Sequence, residues 1–195
     1  YDDIKATFAN WEQFSSENAQ APVRPAGEPA KRIMTEGGFT AYSGLSARVP
    51  PEHTRIRDVA TKAFTPRRYK VLEPLIRENI DRLIDRMLAE GAPADIVASL
   101  AWDVPTITIL TLLGVPIDMI PQVKEWAGSR AAMTWGDLSD EDQIPHAINL
   151  VEYWNYCQQL VSEAKANPGD DLVGDMVRLQ AEGNEINDHE IASFL

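Results

Sequence analysis

From residue 52 onward, apolar residues recur at helical spacing, and the segments that carry them end at glycine or proline. The first such segment follows Pro50-Pro51, and its apolar side chains stand at i, i+3, i+4, i+7 and i+8: Ile56, Val59, Ala60, Ala63 and Phe64. This period places them on one buried face of a helix, whereas a strand would alternate apolar and polar residues. Thr65-Pro66 ends the helix, because a residue before proline avoids helical geometry. The sequence thus predicts a mainly α protein with no convincing strand.

Six more helices are predicted downstream from the same period and from residues that favour helix ends. Gly91 ends the second helix, and Gly114 with Pro116 ends the third. Ser139 and the acidic residues after it are typical of an N-cap and a first turn, so they open a long helix. The last four predicted helices are 120–133, 139–166, 172–181 and a short one capped by Asp188.

The segment 15–51 is rich in proline and glycine and shows no helical period. Loops of this length inside a helical domain are uncommon, and they are usually functional or disordered. We therefore predict one domain with an irregular loop over 15–51 and helices over 52–195. The chain does not begin with methionine and ends in "HEIASFL" as a helix begins, so we interpret it as a piece of a larger protein.

The charge of the chain excludes some partners. Its net charge is −12 over 195 residues, so we expect no nucleic-acid or membrane partner, because phosphate groups select basic surfaces. The longest apolar run, 104–117, is shorter than the ~20 residues that span a bilayer. The single cysteine, Cys157, excludes an internal disulfide. Together with the lack of a visible signal peptide, it indicates the cytoplasm.

His53 and Arg57 stand four residues apart in the first turns of the helix after Pro50-Pro51, so they share one side of it. That side borders the apolar stripe, where a cation needs an anion as its hydrogen-bond partner. From spacing alone two interpretations stay open, namely ion pairs with acidic residues elsewhere in the fold or a bound anion. The other cations of this region form either a solvated face or a patch that docks an acidic partner. They are Arg55, Lys62, Arg67, Arg68 and Lys70.

Motifs for other chemistries are missing from the sequence. There is no glycine-rich phosphate loop, no His/Cys cluster with metal-ligand spacing and no Ser-His-Asp set that the sequence can place. Cys157 lies mid-helix in "EYWNYCQQL", so we interpret it as a small, partly buried thiol. His146 and His189 are isolated in the sequence and are interpreted as surface residues of helices.

One stretch resembles a known family. The residues "PPEHTRIRDVATKAFTPRR" resemble the C helix of soluble bacterial cytochromes P-450, which carries His-Thr-Arg, a further Arg and an Ala-Phe-Thr/Ser-Pro ending. Three other segments follow in the family's order: "YDDIKATFANWEQFSS" resembles the B helix and its loop, "DVPTITILTLLGVP" the E helix, and "NPGDDLVGDMVRLQAEGNEINDHEIASFL" the H helix running into the I helix. Val49 departs from the acidic residue that many relatives have there. The resemblance implies a partial cytochrome P-450 fold, from the B helix to the start of the I helix.

The resemblance also implies how haem is held. The equivalent His and Arg of the family's C helix bind a haem propionate, and here they are His53 and Arg57. Leu45 is expected to contact the haem and the pocket. The family's haem thiolate lies in a Phe-x-x-Gly-x-x-x-Cys loop, which we expect downstream of Leu195. No catalytic residue or metal ligand is therefore expected in this segment, and Cys157 is not expected to be the ligand.

In the family, the loop between the B and C helices roofs the substrate pocket, and the turn between the F and G helices acts as a lid that opens for substrate. Residues 36–49 belong to that B–C loop by resemblance. The implied pocket residues, for each of which ordinary packing is the alternative, are Phe39, Tyr42, Leu45, Met133, Thr134, Trp135 and Leu138.

The function that the resemblance implies is that of a haem-thiolate monooxygenase, an oxidoreductase. It would insert one oxygen atom from O2 into a small, largely apolar or aromatic substrate by hydroxylation or O-dealkylation. Electrons would come from NAD(P)H through FMN and a 2Fe-2S carrier, and the cations of 55–70 would dock that ferredoxin-type donor. The segment "SRAAMTWGDLSDEDQIPHAINLVEYW" is similar to the self-sufficient branch, in which this reductase is fused. The alternative is a catalytically silent helical binding module that docks an acidic protein through 55–70.

Overall fold

The structure is a computed structural model that describes residues 1–40 and 44–195. Its regular elements within those residues are all helical, which confirms the mainly α prediction. Short 3-10 turns cover Leu45–Ala47 and Ile117–Met119, and a π-helical turn covers Val97–Ala101. The α-helices are, in chain order, α1 (Asp2–Ala9), α2 (Glu28–Glu36), α3 (Glu52–Ala63), α4 (Pro66–Glu90), α5 (Asp103–Leu113), α6 (Ile120–Trp135), α7 (Gln143–Ala166), α8 (Leu172–Ala181) and α9 (Asp188–Ala192).

Helix ends marked by glycine and proline lie where the sequence predicts them. α3 ends at Ala63, and Pro66 opens α4, where its missing N–H costs nothing. Gly91 follows α4 with φ +86° and Gly114 follows α5 with φ +90°, a backbone region that side chains disfavour. These confirmed ends depend only on local backbone chemistry.

The prediction of an irregular segment over 15–51 is wrong for α2. This helix follows Gly27, carries Pro29 in its first turn and buries Ala30 completely. Ala30, Ile33 and Met34 do stand at i, i+3 and i+4, but a helix of nine residues is marginal without tertiary contacts. α2 packs against α7, which supplies the stabilisation that the local sequence lacks.

Two predicted N-caps also differ from the structure. α7 begins at Gln143, and the Ser139 hydroxyl instead accepts a hydrogen bond from the backbone N–H of Asp142 in the preceding turn. In α9 the cap is Asn187, one residue before Asp188, and its side chain accepts from the N–H of Glu190. The carboxylate of Glu190 accepts in return from the N–H of Asn187, which completes a capping box.

α7 lies at the centre of the fold. It packs against α2, α6, α8 and α9, while α4 packs on α5 and α3 packs on α8. Its buried side chains Tyr153, Trp154, Cys157 and Val161 join one continuous core with the apolar face of α3. α3 thus packs on α8 and on the 3-10 turn Leu45–Ala47, and its Arg55 side chain reaches Glu190 on α9.

Candidate functional site

His53 and Arg57 lie on α3, whose apolar stripe of Ile56, Val59 and Ala60 is buried. The side chain of His53 is half-buried and that of Arg57 is exposed. Neither forms a hydrogen bond or ion pair with any residue in the described ranges 1–40 and 44–195. The interpretation as internal ion pairs is therefore wrong for those ranges. Two side-chain N–H donors at i and i+4, one of them the Arg57 guanidinium, stay available beside an apolar helix face.

The buried carboxylate nearest this helix binds Arg55. Glu190, whose side chain is 7% exposed, lies 2.5 Å from Nη2 of Arg55, and Nη1 of the same guanidinium is 3.1 Å from its other oxygen. Arg48 adds a longer contact of 3.9 Å, and Arg55 also donates to the carbonyl oxygen of Glu185 at 2.6 Å. Burial on its own would raise the pKa of Glu190, but the hydrogen bonds from Arg55 and from the N–H of Asn187 lower that pKa below its usual value.

The predicted docking patch is therefore only partly a free cationic surface. Arg55 binds Glu190, Arg68 forms an ion pair with Asp175, and Lys62 donates to the side-chain oxygen of Asn184 at 2.6 Å. These three bridge α3 and the start of α4 to the segment from α8 to α9, and their role in docking is weakened accordingly. Arg67 and Lys70 are exposed at the start of α4, with no hydrogen bond or ion pair to another described residue.

A cavity of about 200 Å³ lies between the segment before α2, α6 and α7. Phe39 and Trp154 form part of its wall, with their rings edge to face at 6.4 Å between centroids. The wall is mainly apolar. Its described lining residues are Gln20, Pro22, Ala26, Met34, Phe39, Arg130, Met133, Thr134, Leu150, Tyr153 and Trp154.

The structure brings together three of the seven pocket residues that the resemblance implies, namely Phe39, Met133 and Thr134. Trp135 is 64% exposed, and neither it nor Leu138 lines the cavity, so their placement in the pocket is not reproduced. Leu45 is half-buried on its 3-10 turn and is not among the described lining residues, and its haem contact stays a prediction. Tyr42 lies outside the described residues.

Several lining residues were missed by the sequence analysis, although two helices carried a signal. Arg130, Met133 and Thr134 stand at i, i+3 and i+4 on α6, and Leu150, Tyr153 and Trp154 stand at i, i+3 and i+4 on α7. That spacing marks one face of each helix, but it does not say that the two faces enclose a space. Gln20 and Met34 come from the segment predicted to be irregular. Met34 follows Ala30 at i+4 within α2, a helix that the sequence analysis missed, whereas Gln20 lies outside any helix.

The turn between α6 and α7 is tied to the segment before α2. The N–H of Val23 donates to the carbonyl oxygen of Thr134 at 2.9 Å, and Arg24 lies 3.0 Å from Asp140. The buried amide of Gln143 accepts from the N–H of Gly27 at 2.7 Å and donates to the carbonyl oxygen of Pro25 at 3.4 Å. Any movement of this turn therefore involves 22–27 as well.

Comparisons with known proteins agree with this architecture. Mycinamicin IV hydroxylase/epoxidase of Micromonospora griseorubida is 30% identical over 98% of this chain, which covers 44% of that protein. The solved structure of cytochrome P-450 CREJ in complex with (4-ethylphenyl) dihydrogen phosphate is 65% identical over the whole chain, with a TM-score of 0.92, and 48% of it is covered. An intact type IV self-sufficient cytochrome P-450 monooxygenase is 26% identical over the whole chain with a TM-score of 0.88, and 26% of it is covered. The chain belongs to the cytochrome P-450 family.

The match confirms the resemblance stated on the sequence, including the partial cytochrome P-450 fold. The chain spans about half the length, or less, of the curated cytochromes P-450 it matches, and it corresponds to their N-terminal part. No protein-family model matches it. None of the helices in the described ranges has the length and apolar character needed to cross a bilayer.

The residues of this P-450 chain fit a haem propionate edge. Haem is the cofactor that the family implies, and its propionates need charged donors at the edge of an apolar macrocycle. Arg57 supplies a charged donor and His53 an imidazole N–H, and neither side chain has another partner among the described residues next to the buried stripe of α3. Arg55 also lies on α3, but it already binds Glu190 and is therefore not counted as a propionate donor.

Cys157 differs from a haem ligand in its surroundings. Its side chain is 1% exposed within the core on α7, and burial raises the pKa of its thiol to about 12. A metal ligand must be the thiolate, which this environment disfavours. Within the described residues, no group of three or more His, Cys, Asp or Glu side chains is arranged to hold a metal ion.

The two remaining histidines are less exposed than the sequence suggested. Nδ1 of His146 lies 3.1 Å from the hydroxyl of Ser129, and the ring of His189 packs at 4.7 Å against the ring of Trp154. Both side chains are half-buried, so the interpretation as isolated surface residues is wrong. Each contact joins α7 to a neighbouring helix, which indicates a role in packing.

Proposed function

We propose that the intact protein is a haem monooxygenase that oxidises a small aryl phosphate. The observation that carries this proposal is the 65% identity, over the whole chain, to a cytochrome P-450 solved with (4-ethylphenyl) dihydrogen phosphate. The mainly apolar cavity with Phe39 and Trp154 in its wall supports an aromatic substrate, because ring faces and edges pack favourably together. Its volume of about 200 Å³ lies below the ~300–1,000 Å³ of typical ligand pockets, as expected if other parts of the protein complete it.

The roles of the residues in this chain follow from their placement. Bound haem would supply the activation of O2, from which one oxygen atom enters the substrate by hydroxylation or O-dealkylation. His53 and Arg57 hold a propionate by charged hydrogen bonds and so fix the orientation of the cofactor. The walls on α6 and α7 position the aromatic ring and exclude water from it. The apolar roof from the B–C loop, with Leu45 and Tyr42, is part of the same proposal.

Electrons are proposed to come from NAD(P)H through flavin and 2Fe-2S carriers. A fused reductase is supported by the similarity to the type IV self-sufficient enzyme. A separate ferredoxin-type donor is favoured by the much higher identity to CREJ. The CREJ chain is far shorter than that of the self-sufficient enzyme, because the same 195 residues cover 48% of CREJ and 26% of the self-sufficient enzyme. In both cases the donor is acidic and meets the positive side chains at the start of α4.

The test of the proposed function uses the intact protein. Its reduced carbon-monoxide complex should show the red-shifted Soret band of a haem thiolate, and 4-ethylphenyl phosphate should be oxidised when NADPH and a ferredoxin reductase system are supplied. A matched Cys157→Ser variant should keep both properties. Absence of the band from the wild-type protein would refute the proposal, and its loss in Cys157→Ser alone would make Cys157 the ligand.

Cys157 gives a second expected result. At pH 7 to 8 the native protein should leave this thiol unmodified by iodoacetamide, because its pKa of about 12 and its burial keep it protonated and shielded. The same reagent should modify it fully in denaturant. Mass spectrometry of the peptide that contains Cys157 measures both. Rapid labelling of the native protein would contradict the core position of this residue.

Charge reversal at the start of α4 tests the proposed docking surface. Arg67→Glu with Lys70→Glu should slow reduction of the iron by the donor, because complementary charge raises the rate of encounter. Binding of the substrate should be unchanged, and the wild-type rate should fall as salt screens the contact. Stopped-flow reduction provides the rates, and Arg82→Glu, an exposed cation farther along α4, is the control. Rates that ignore both the reversal and the salt would remove this surface from electron transfer.

A further inference from the structure

The cavity contains one feature that an entirely apolar substrate would not need. Arg130 is the single charged residue among the described lining residues, and it projects from α6 into a wall that is otherwise mostly aromatic and aliphatic. An uncharged ring placed against this guanidinium offers it no hydrogen-bond acceptor and no opposite charge. An anionic group on the ligand would instead meet a positive charge and accept a charge-assisted hydrogen bond.

Other polar groups converge on the same part of the wall. Nη2 of Arg130 lies 3.3 Å from the side-chain oxygen of Gln20, and the Gln20 amide nitrogen donates to the hydroxyl of Ser46 at 2.9 Å. Thr134 stands one helical turn after Arg130 on α6 and also lines the cavity. The guanidinium, the amide and the hydroxyl are donors of the kind that bind the oxygens of a phosphate.

The backbone leaves room for this arrangement. Gly44 is buried beneath the pair, and a Cβ at that position would come within 3.5 Å of the Gln20 amide and 3.8 Å of Nη2 of Arg130. These are ordinary contact distances, so the backbone at Gly44 lies directly beside the two side chains. The charge of Arg130 also acts within the core, because it opposes the larger effect of burial on the pKa of Cys157.

We infer that Arg130, with Gln20 and Thr134, binds the phosphate of an aryl phosphate monoester and so selects it over the corresponding neutral phenol. This inference rests on the proposed function and assigns its substrate preference to named residues. The aromatic ring lies against Phe39 and Trp154, and the phosphate lies at Arg130. Arg130 is a specificity residue in this scheme and takes no part in oxygen transfer.

The test compares two ligands that differ only in the phosphate. Calorimetric titration of the intact haem protein with 4-ethylphenyl phosphate and with 4-ethylphenol measures the preference directly. Arg130→Gln should weaken binding of the phosphate ester about 10- to 100-fold, as expected for one lost charged hydrogen bond, and change binding of the phenol less than about threefold. Arg130→Lys should recover part of the loss, and Arg82→Gln, the same change on the exposed face of α4, should have no effect.

Each outcome bears on one claim. Equal affinity of the wild-type protein for the two ligands would overturn the inference, and so would an equal loss of affinity for both ligands in Arg130→Gln. Neither result would overturn the proposed function if the haem-thiolate spectrum is present. An absent haem-thiolate spectrum would overturn the proposed function whatever the titrations show. A thermal melt of each variant identifies misfolding. If Arg130→Gln misfolds, Thr134→Val and Gln20→Leu are titrated with the same two ligands. A loss of affinity confined to the phosphate ester supports the inference, and an unchanged preference overturns it.

Discussion

Haem retention should fall sharply when both His53 and Arg57 are replaced by alanine in the intact protein. Each substitution removes a charged hydrogen bond to a propionate, worth about 1.5–3 kcal/mol. The effect is expected to be large because neither side chain has another partner in the described part of the chain, so their donors are fully available for the cofactor. The fold itself should survive, since the buried stripe of α3 is untouched.

The measurement is transfer of haem to excess apomyoglobin, together with the ratio of haem to protein after purification. Arg57→Lys should lose less haem than Arg57→Ala, because it keeps the positive charge. It should still retain less haem than the wild type, because lysine lacks the planar fork of the guanidinium. Arg67→Ala, an exposed cation just beyond α3, is the control and should retain haem normally. Unchanged transfer rates and unchanged haem content in the double variant would contradict the propionate assignment.

The ion pair between Arg55 and Glu190 carries the largest expected effect on stability. Glu190→Gln should lower the free energy of unfolding by about 2–3 kcal/mol, because it leaves Arg55 partly buried without its anion. The estimate lies below the usual cost for a deeply buried pair, since a quarter of the Arg55 side chain is exposed and water compensates in part. Glutamine can still accept from the N–H of Asn187, so the capping box of α9 is kept and the loss reports the charge.

The same pair predicts a pH dependence with a definite sign. The pKa of Glu190 is lowered in the folded protein from its ordinary value of 4.5. Its stabilisation is therefore complete above pH 4.5 and is lost as the pH falls through the lower folded-state pKa. The difference between wild type and Glu190→Gln should thus be constant near neutral pH and shrink in acid. Chemical denaturation at several pH values measures it, with Glu182→Gln, an exposed carboxylate just after α8, as the control. A difference that persists unchanged in acid would show that the charge of Glu190 contributes nothing.

Three of the five cations predicted to dock an electron donor have partners within the fold. Arg55, Lys62 and Arg68 look alike in the sequence, as cations on or just after one helix. Their partners Glu190, Asn184 and Asp175 lie more than 100 residues away along the chain. Helical spacing identifies which cations share a face, but it contains no information about which distant carboxylate or amide that face meets. The three residues therefore hold α3 and α4 to the segment from α8 to α9. The side chains of Arg67 and Lys70 are exposed and have no hydrogen bond or ion pair among the described residues.

The sequence by itself determined the features that depend on neighbours within a few residues. These include the mainly α fold, the ends of α3 to α5 at proline and glycine, and the pairing of His53 with Arg57 on one side of α3. The resemblance carried by the α3 segment also identified the family. Each of these follows from the 3.6-residue period or from backbone chemistry at a single residue, which a short stretch of sequence expresses in full.

Only the tertiary structure decided what meets across the fold. α2 exists because its short apolar face packs on α7, and Arg55 is neutralised because α9 places Glu190 beside α3. The cavity arises where Gln20 and Phe39 meet the faces of α6 and α7, and this meeting places Arg130 in its wall. Contacts between segments more than 100 residues apart depend on how the helices pack, so neither period nor local composition could predict them.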